Sequence, residues 1–174
     1  MAQSVELLLD SDSEALVQSQ WLSLFEAGLP SEHRPHHSGS HRPHVTLFAG
    51  PSVPEPESEL VGLVAEAPGM PVVLGSVLLF GPRRGQYVVV RQVLPTVALL
   101  ELQEAVASWC GALRGGQFGP GRWAAHLTLA RRARAEDLPA MLGLLDGEPL
   151  PATVTGVRRW DGTARRDWLL GVGP

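Results

Sequence analysis

Two short segments of the chain share a pattern of residue types suited to acid–base chemistry. Residues 43–48 have the sequence PHVTLF and residues 125–130 have AHLTLA, so each segment holds His-x-Thr followed by leucine. Both are typical of β-strands, in which successive side chains alternate between faces. We therefore expect His44 and Thr46 on one face of a strand and His126 and Thr128 on one face of another. The aliphatic residues between them would anchor each strand in the core.

This doubled pattern fits the cleavage of a phosphodiester. One group must take a proton from the nucleophile while another gives a proton to the leaving oxygen, and imidazoles can do both because they titrate near pH ~6.5. The two threonine hydroxyls would bind non-bridging phosphate oxygens. Arg131 follows the second motif and is a further candidate phosphate ligand, although strict alternation from His126 puts it on the opposite face. The scheme requires no metal and no cofactor.

A histidine at the start of a strand usually has a structural role, and for either residue alone we would favour that interpretation. The pairing favours catalysis, because His126 is the only histidine after His44 and still falls in a matching motif. The sequence therefore predicts His44 and His126 as the catalytic pair, with Thr46, Thr128 and Arg131 as phosphate ligands.

Hydrophobic periodicity and turn residues predict a mixed α+β chain. Each half contains strand–helix–strand elements and one His-x-Thr strand, so we expect one domain over residues 1–174 with two related lobes. The predicted strands are Val5–Leu9, His44–Phe48, Val72–Phe80, Gln86–Val93, His126–Ala130, and a closing hairpin of Ala152–Trp160 and Trp168–Val172. The predicted helices are Glu14–Ala27, Glu57–Ala67, Pro95–Leu113 and Asp137–Leu145.

Composition excludes several classes of chemistry. All 14 basic residues are arginine, so no P-loop lysine, Schiff base or lysyl–nucleotide intermediate is possible. The charge is unevenly distributed, with a net of −8 over residues 1–82 and +4 over residues 83–174. A net acidic protein is a poor general nucleic-acid binder, but the arginines of the second half can form a local basic surface for phosphate.

The sequence indicates a cytoplasmic protein. Cys110 is the only cysteine, which rules out an intrachain disulfide and suits a reducing compartment. The longest apolar stretches are too short to span a bilayer, and no basic region precedes the apolar stretch near the N-terminus. We expect no membrane association and no signal peptide.

A histidine-rich loop precedes the first motif. His33, His36, His37 and His41 have spacings that would suit zinc, but no cysteine and no HExxH pattern accompanies them. Their setting of proline, serine and glycine is typical of a flexible loop, so we expect a mobile lid over the substrate in preference to a metal site.

The two His-x-Thr motifs, 82 residues apart, resemble the signature of the two-histidine phosphoesterase superfamily. The likeness is greatest to its LigT-like branch, the bacterial 2′-5′ RNA ligase and RNA 2′,3′-cyclic phosphodiesterase family. The extended second motif, WAAHLTLAR at residues 123–131, resembles that branch, as do the length, the early strand–helix start and the late strand at Trp168.

The resemblance implies a bilobal fold of antiparallel sheet and helices, with the four motif residues facing a central cleft. It also implies hydrolysis of a 2′,3′-cyclic phosphate to a 2′-phosphate, with His44 as the acid and His126 as the base. RNA ends or small cyclic nucleotides would be the substrates of a monomeric enzyme. Two alternatives stay open: a 2′-5′ RNA ligase or phosphodiesterase with the same site, and a catalytically idle RNA- or nucleotide-binding module.

Overall fold

The structure, a computed structural model, describes residues 3–35 and 39–171. Within these ranges seven strands and four helices follow one another in the predicted order. The strands are β1 (Gln3–Leu9), β2 (Val45–Gly50), β3 (Pro71–Arg83), β4 (Gln86–Val93), β5 (His126–Arg134), β6 (Leu150–Asp161) and β7 (Arg166–Leu169). The helices are α1 (Ser11–Glu26), α2 (Glu57–Val64), α3 (Val97–Trp109) and α4 (Leu138–Leu144).

Three helix boundaries, at the start of α1 and at both ends of α3, differ from the prediction because of capping. Helix α1 begins three residues before the predicted Glu14, since Asp10 is its N-cap and accepts a hydrogen bond from the Ser13 amide at 2.9 Å. Helix α3 begins after the N-cap Thr96, so Pro95 lies outside it. Helix α3 also ends at Trp109, before the predicted Leu113. Gly111, two residues after its end, has a left-handed φ of 73°, which is typical of a helix C-terminus.

The strands form an antiparallel sheet whose order is β2-β1-β6-β3-β4-β5, with β7 paired to β6. Strand β6 is shared: its first residues, Leu150–Thr153, pair with β3, and its later residues pair with β1 and β7. The sheet therefore has two lobes joined by one continuous strand, which confirms the predicted α+β bilobal architecture. The closing hairpin is confirmed as β6–β7, although Val172 of the predicted last strand lies outside the described residues.

The two motif strands, β2 and β5, lie at opposite ends of this strand order and nevertheless contact each other. The sheet must therefore curl so that its end strands meet. Helix α3 packs on β2 and helix α1 packs on β5, so each motif strand is covered by a helix from the other half of the chain. None of the helices in residues 3–35 and 39–171 is long and apolar enough to cross a membrane.

Two tryptophans hold the motif strands in place through equivalent hydrogen bonds. The Trp21 indole donates to the backbone carbonyl of Thr128, and the Trp123 indole donates to that of Thr46, both at 2.9 Å. Because each strand lies at a sheet end, its outer edge has carbonyls without a neighbouring strand, and the indoles satisfy one of them. The aliphatic residues flanking the motif side chains are buried as predicted, namely Val45, Leu47, Leu127 and Leu129.

These indole bonds should contribute measurably to stability. Trp21→Phe and Trp123→Phe keep an aromatic ring and remove the N–H donor together with part of the ring surface. Each should lower the free energy of unfolding by at least about 1 kcal/mol, the usual net value of one hydrogen bond, because the lost ring surface adds to it. Urea denaturation is the measurement, with Trp109→Phe as the matched control. The Trp109 indole donates to Glu59 at the surface, so its loss should cost less; equal losses for all three would contradict an anchoring role.

Candidate active site

Both motif histidines are oriented by the same local hydrogen bond. His44 directly precedes β2, and its Nδ1 lies 2.8 Å from the carbonyl oxygen of Arg42. His126 opens β5, and its Nδ1 lies 2.7 Å from the carbonyl oxygen of Ala124. Since a carbonyl can only accept, Nδ1 carries the proton in each ring and Nε2 is left for other partners.

Each motif strand also carries a β-bulge at the same place. The pairing of β2 with β1 skips Leu47, and the pairing of β5 with β4 skips Leu129. In both strands the skipped residue directly follows the motif threonine. The two half-sites therefore share their histidine orientation and their backbone irregularity, which supports the prediction of related lobes.

The bulge corrects our expectation for Arg131. Strict alternation put this residue on the face opposite His126, but the extra residue in β5 reverses the alternation beyond Thr128. Leu129 and Ala130 are consequently both buried, and Arg131 is exposed on the cleft side. It lines the same cavity as the first motif.

A cleft of about 730 Å³ lies beside the first motif. His44, Thr46 and Arg131 line it together with Trp160 and Arg165. His126 and Thr128 are not among the described residues that line it, so most of the open space is on the His44 side of the motif pair.

The two motifs are nonetheless neighbours. Strands β2 and β5 contact each other, and the charge of His44 is one of the causes that lower the pKa of His126. Thr46 and Thr128 are half-buried, and in the part of the chain that the structure describes neither hydroxyl has a hydrogen-bond partner. The structure therefore places His44, Thr46 and Arg131 on one cleft and brings the strand of His126 and Thr128 into contact with the strand of Thr46.

A buried ion pair lies beneath His44. The Glu6 carboxylate accepts hydrogen bonds from Arg158 at 2.8 Å and from the Ser4 hydroxyl at 2.6 Å. Arg158 also donates to Asp167 at 3.1 Å. The His44 Nε2 lies 3.5 Å from the nearer Glu6 oxygen, so a proton on this nitrogen would face a carboxylate. Such a buried pair is held only because its hydrogen bonds are satisfied.

His126 has a different environment. Its ring meets the edge of Phe80 in a T-shaped contact, with centroids 4.9 Å apart. Burial is the main cause that lowers the pKa of His126; the hydrogen bond to the Ala124 carbonyl acts in the opposite direction, and the charges of His44 and Arg131 lower it further. This histidine is therefore disposed to be neutral at physiological pH.

The two half-sites differ at the residue of the neighbouring strand that pairs with the motif threonine. Glu6 of β1 pairs with Thr46, whereas Val90 of β4 pairs with Thr128. Glu6 and Arg158 therefore lie beside the first histidine, with the Arg158 guanidinium 3.4 Å from its Nδ1, whereas the second contacts the ring of Phe80. Matching motifs thus sit in unlike environments, as two groups with opposite proton-transfer roles would require.

Sequence reasoning missed Glu6, Arg158, Phe80 and Trp160. Glu6 carried a usable signal, since a carboxylate inside the apolar run VELLL must be either exposed or paired, and it is paired. Phe80 and Trp160 carried no such signal in the sequence, because an aromatic residue in a strand is usually part of the core. Phe48 is part of the hydrophobic core, and Tyr87 and Trp123 are partly buried and pack against it.

The described part of the histidine-rich loop packs against α1. His33 lies on Phe25 with ring centroids 4.9 Å apart, and His41 stacks on Trp21 at 5.2 Å. His36 and His37 lie outside the described residues, and the lid remains a prediction. Among residues 3–35 and 39–171, no group of three or more His, Cys, Asp or Glu side chains is arranged to hold a metal ion.

Cys110 follows α3 and is half-buried. Burial raises the pKa of its thiol to about 11. The thiol is therefore protonated at neutral pH and is not a nucleophile.

Comparisons with known proteins agree with this fold. TT0787 of Thermus thermophilus is 21% identical to this chain, with a TM-score of 0.55 and coverage of 98% of this chain and 95% of that one. Usb1 of Kluyveromyces marxianus is 15% identical, with a TM-score of 0.54 and coverage of 98% of each chain. Escherichia coli LigT, complexed with 3′-AMP, is 14% identical, with a TM-score of 0.51 and coverage of 98% and 94%.

At these identities the structural likenesses establish the fold and nothing finer. No curated protein matches the chain. By sequence, residues 12–165 match the 2′-5′ RNA ligase superfamily, a span that includes both His-x-Thr motifs and all four helices except the first residue of α1. The match covers most of the chain and agrees with the resemblance predicted from the two motifs, so the chain belongs to the 2′-5′ RNA ligase superfamily of two-histidine phosphoesterases.

Proposed function

We propose that this protein is an RNA 2′,3′-cyclic phosphodiesterase that hydrolyses the cyclic phosphate to a 2′-phosphate without a metal ion. The observation that carries the proposal is the matched orientation of His44 and His126. Both rings are held through Nδ1 by a carbonyl two residues earlier, which leaves both Nε2 atoms for proton transfer. Two such imidazoles on contacting strands can flank one phosphate.

In the proposed reaction His126 is the general base. Its Nε2 takes a proton from water as the water oxygen attacks phosphorus, and the burial that lowers the pKa of His126 supports this role because a base must begin unprotonated. His44 is the general acid: its Nε2 gives a proton to the ribose O3′ as the P–O3′ bond breaks. The 2′-phosphate is the product, and exchange with solvent restores both protonation states.

The environment of His44 supports its role as the acid. With Nδ1–H donated to a carbonyl, a second proton on Nε2 would lie 3.5 Å from the Glu6 carboxylate. The cleft is on the same side of the histidine pair. Since the acid protonates an oxygen of the substrate's ribose, the nucleoside must lie on the acid's side, where the cleft has room for it.

Negative charge on the phosphate would be held by Thr46, Thr128 and Arg131. The two hydroxyls have no other partner among the described residues, so they are available as donors to non-bridging oxygens. Arg131 lines the cleft beside the first motif; its side chain is exposed, and its Nε lies 3.6 Å from the Glu32 carboxylate. Arginine binds phosphate through two parallel hydrogen bonds, which adds orientation to charge neutralisation.

A second candidate function is 2′-5′ ligation or 2′-5′ phosphodiester cleavage at the same site, which the family to which the chain belongs favours. E. coli LigT, of the same fold, is complexed with 3′-AMP, and this nucleotide ligand agrees with either reaction. A catalytically idle nucleotide-binding module is the remaining possibility. Incubation with 2′,3′-cyclic-phosphate RNA, with 2′-5′-linked dinucleotides and with a chelator distinguishes these functions.

The histidines should be essential and mutually dependent. His44→Ala and His126→Ala should each lower single-turnover hydrolysis of a nucleoside 2′,3′-cyclic phosphate by about 10²-fold or more, the usual effect of losing a general acid or base. The double variant should be little worse than either single one, because the two proton transfers belong to one step. Thermal midpoints should change little. Folded single variants with full activity would show that the doubled motif is a coincidence.

The threonine hydroxyls should have smaller effects. Thr46→Val and Thr128→Val keep the β-branched shape and remove only the donor, so each should cost ~1–3 kcal/mol of transition-state stabilisation. The ratio of kcat/KM values to the wild type measures this loss. Addition of EDTA should leave the wild-type rate unchanged, whereas loss of activity restored by zinc or manganese would contradict a metal-independent mechanism.

The pH profile should reveal the lowered pKa of His126. Because burial lowers this pKa, the base stays unprotonated below the ordinary histidine value, and the acidic limb of kcat/KM should lie below about pH 6.5. Phe80→Ala should admit water to the ring, raise the pKa and move this limb to higher pH. Phe25→Ala is the matched control, since Phe25 contacts His33 on α1. A limb that moves to lower pH in Phe80→Ala would contradict the assignment.

A further inference from the structure

The cleft continues well beyond the residues that would touch a cyclic phosphate. In the first lobe the facing residues of neighbouring strands form rows across the sheet. One row contains Thr46, Glu6 and Arg158, and the next contains Ser4 and Trp160. Two residues along a strand separate the rows, a distance of about 7 Å. Trp160 therefore lies about one nucleoside length from the proposed phosphate position.

Arg165 follows Trp160 in the same direction. It lies in the turn between β6 and β7, which the Asp161 carboxylate closes by accepting the amides of Thr163 and Ala164 at 2.8 and 3.0 Å. Its backbone is in the left-handed region, with a φ of 53°, where glycine is the least strained residue. An arginine at this turn position is thus unfavourable for the backbone, and its side chain lines the cleft.

The far part of the cleft is basic. Arg34, from the segment that follows α1, lines the same cleft as Arg165. In the described ranges 3–35 and 39–171, neither guanidinium has an acidic side chain within ion-pair distance. By contrast, Arg158 is paired with Glu6. On a chain with a net charge of −4, two unpaired arginines facing one cavity form a local site for an anion.

We propose that this part of the cleft binds the RNA chain on the 5′ side of the reacting end, so that the substrate is an oligonucleotide and not a free mononucleotide. Trp160 stacks on the base of the terminal nucleotide. Arg165 and Arg34 bind the phosphate that joins this nucleotide to the one before it. This inference rests on the proposed function, since it takes the reacting phosphate to lie at Thr46 and His44.

The order of the residues along the cleft supports this direction of binding. The histidine pair, Trp160 and Arg165 succeed one another as a phosphate, a nucleoside and the next phosphate do in a strand. Stacking and phosphate contacts of this kind recognise single-stranded RNA without requiring a particular base. The cleft would thus accept RNA ends of many different sequences.

The test compares substrates that differ by one phosphate: adenosine 2′,3′-cyclic phosphate, the same compound with a 5′-phosphate, and a dinucleotide with a 2′,3′-cyclic end. For the wild type, kcat/KM should rise about tenfold when the 5′-phosphate is added, on the scale of one charge-assisted contact. The dinucleotide should show the same increase in kcat/KM. The gain should diminish as salt rises, because the contact is ionic.

Arg165→Gly is the decisive variant. It should abolish most of the gain from the 5′-phosphate while its thermal midpoint is retained or raised, because glycine suits the left-handed turn position. Trp160→Ala should lower kcat/KM about tenfold for all three substrates, and Trp160→Phe should restore most of the loss. The matched control is Arg166→Gln: Arg166 lies over the Trp168 ring, 5.3 Å from its centroid, and does not line the cleft.

The outcomes separate this inference from the proposed function. If adenosine 2′,3′-cyclic phosphate is hydrolysed and the 5′-phosphate gives no gain, the groove inference is wrong and the proposed function stands. If no substrate is hydrolysed, the proposed function is wrong. Calorimetric binding of adenosine 2′-phosphate with and without a 5′-phosphate then tests the groove. Tighter binding that Arg165→Gly removes supports it, and equal affinities overturn it.

Discussion

A hydrogen bond from Nδ1 to the carbonyl two residues earlier orients each motif histidine, and the chemistry of the site depends on this bond. It selects the tautomer and directs Nε2 away from the backbone. The carbonyls are useful only if the backbone around them is rigid. That rigidity comes from the motif strands, which the indoles of Trp21 and Trp123 hold at the threonine carbonyls.

The need to hold the two motif strands together also accounts for the way the chain crosses between the two lobes. Two sheet-end strands can share one site only if the sheet curls, and the curl is stabilised by elements that connect its two parts. Strand β6 pairs with β3 at its start and with β1 further on, and α1 and α3 each cover the motif strand of the other half.

Symmetry of the scaffold and asymmetry of the environment together are what the different roles proposed for the two copies of the motif require. The bulges after Thr46 and Thr128 and the histidine orientations are equivalent. The surroundings differ: the residue that pairs with the motif threonine is Glu6 in one lobe and Val90 in the other, and Phe80 contacts only the second histidine. A buried carboxylate lies near one imidazole, whereas burial lowers the pKa of the other, His126.

The motif residues and the order of elements could be predicted from sequence because both depend on local patterns. Alternation identified the faces of the motif strands up to Thr128. It failed for Arg131 because a β-bulge depends on pairing with another strand, which no local pattern reveals. The partnership of Glu6 with Arg158 and the approach of Phe80 to His126 likewise depend on residues distant in the chain. Strand β6, which joins the lobes, was predicted as a strand but not as the shared one.

The most direct test of the account is a crystal structure of the protein with uridine 2′-phosphate, the product of the proposed reaction. Both Nε2 atoms, of His44 and of His126, should lie within hydrogen-bond distance of phosphate oxygens, and the uridine should extend into the cleft beside Trp160. A phosphate bound away from the two histidines, or contacted through Nδ1 of either ring, would contradict the two-histidine mechanism.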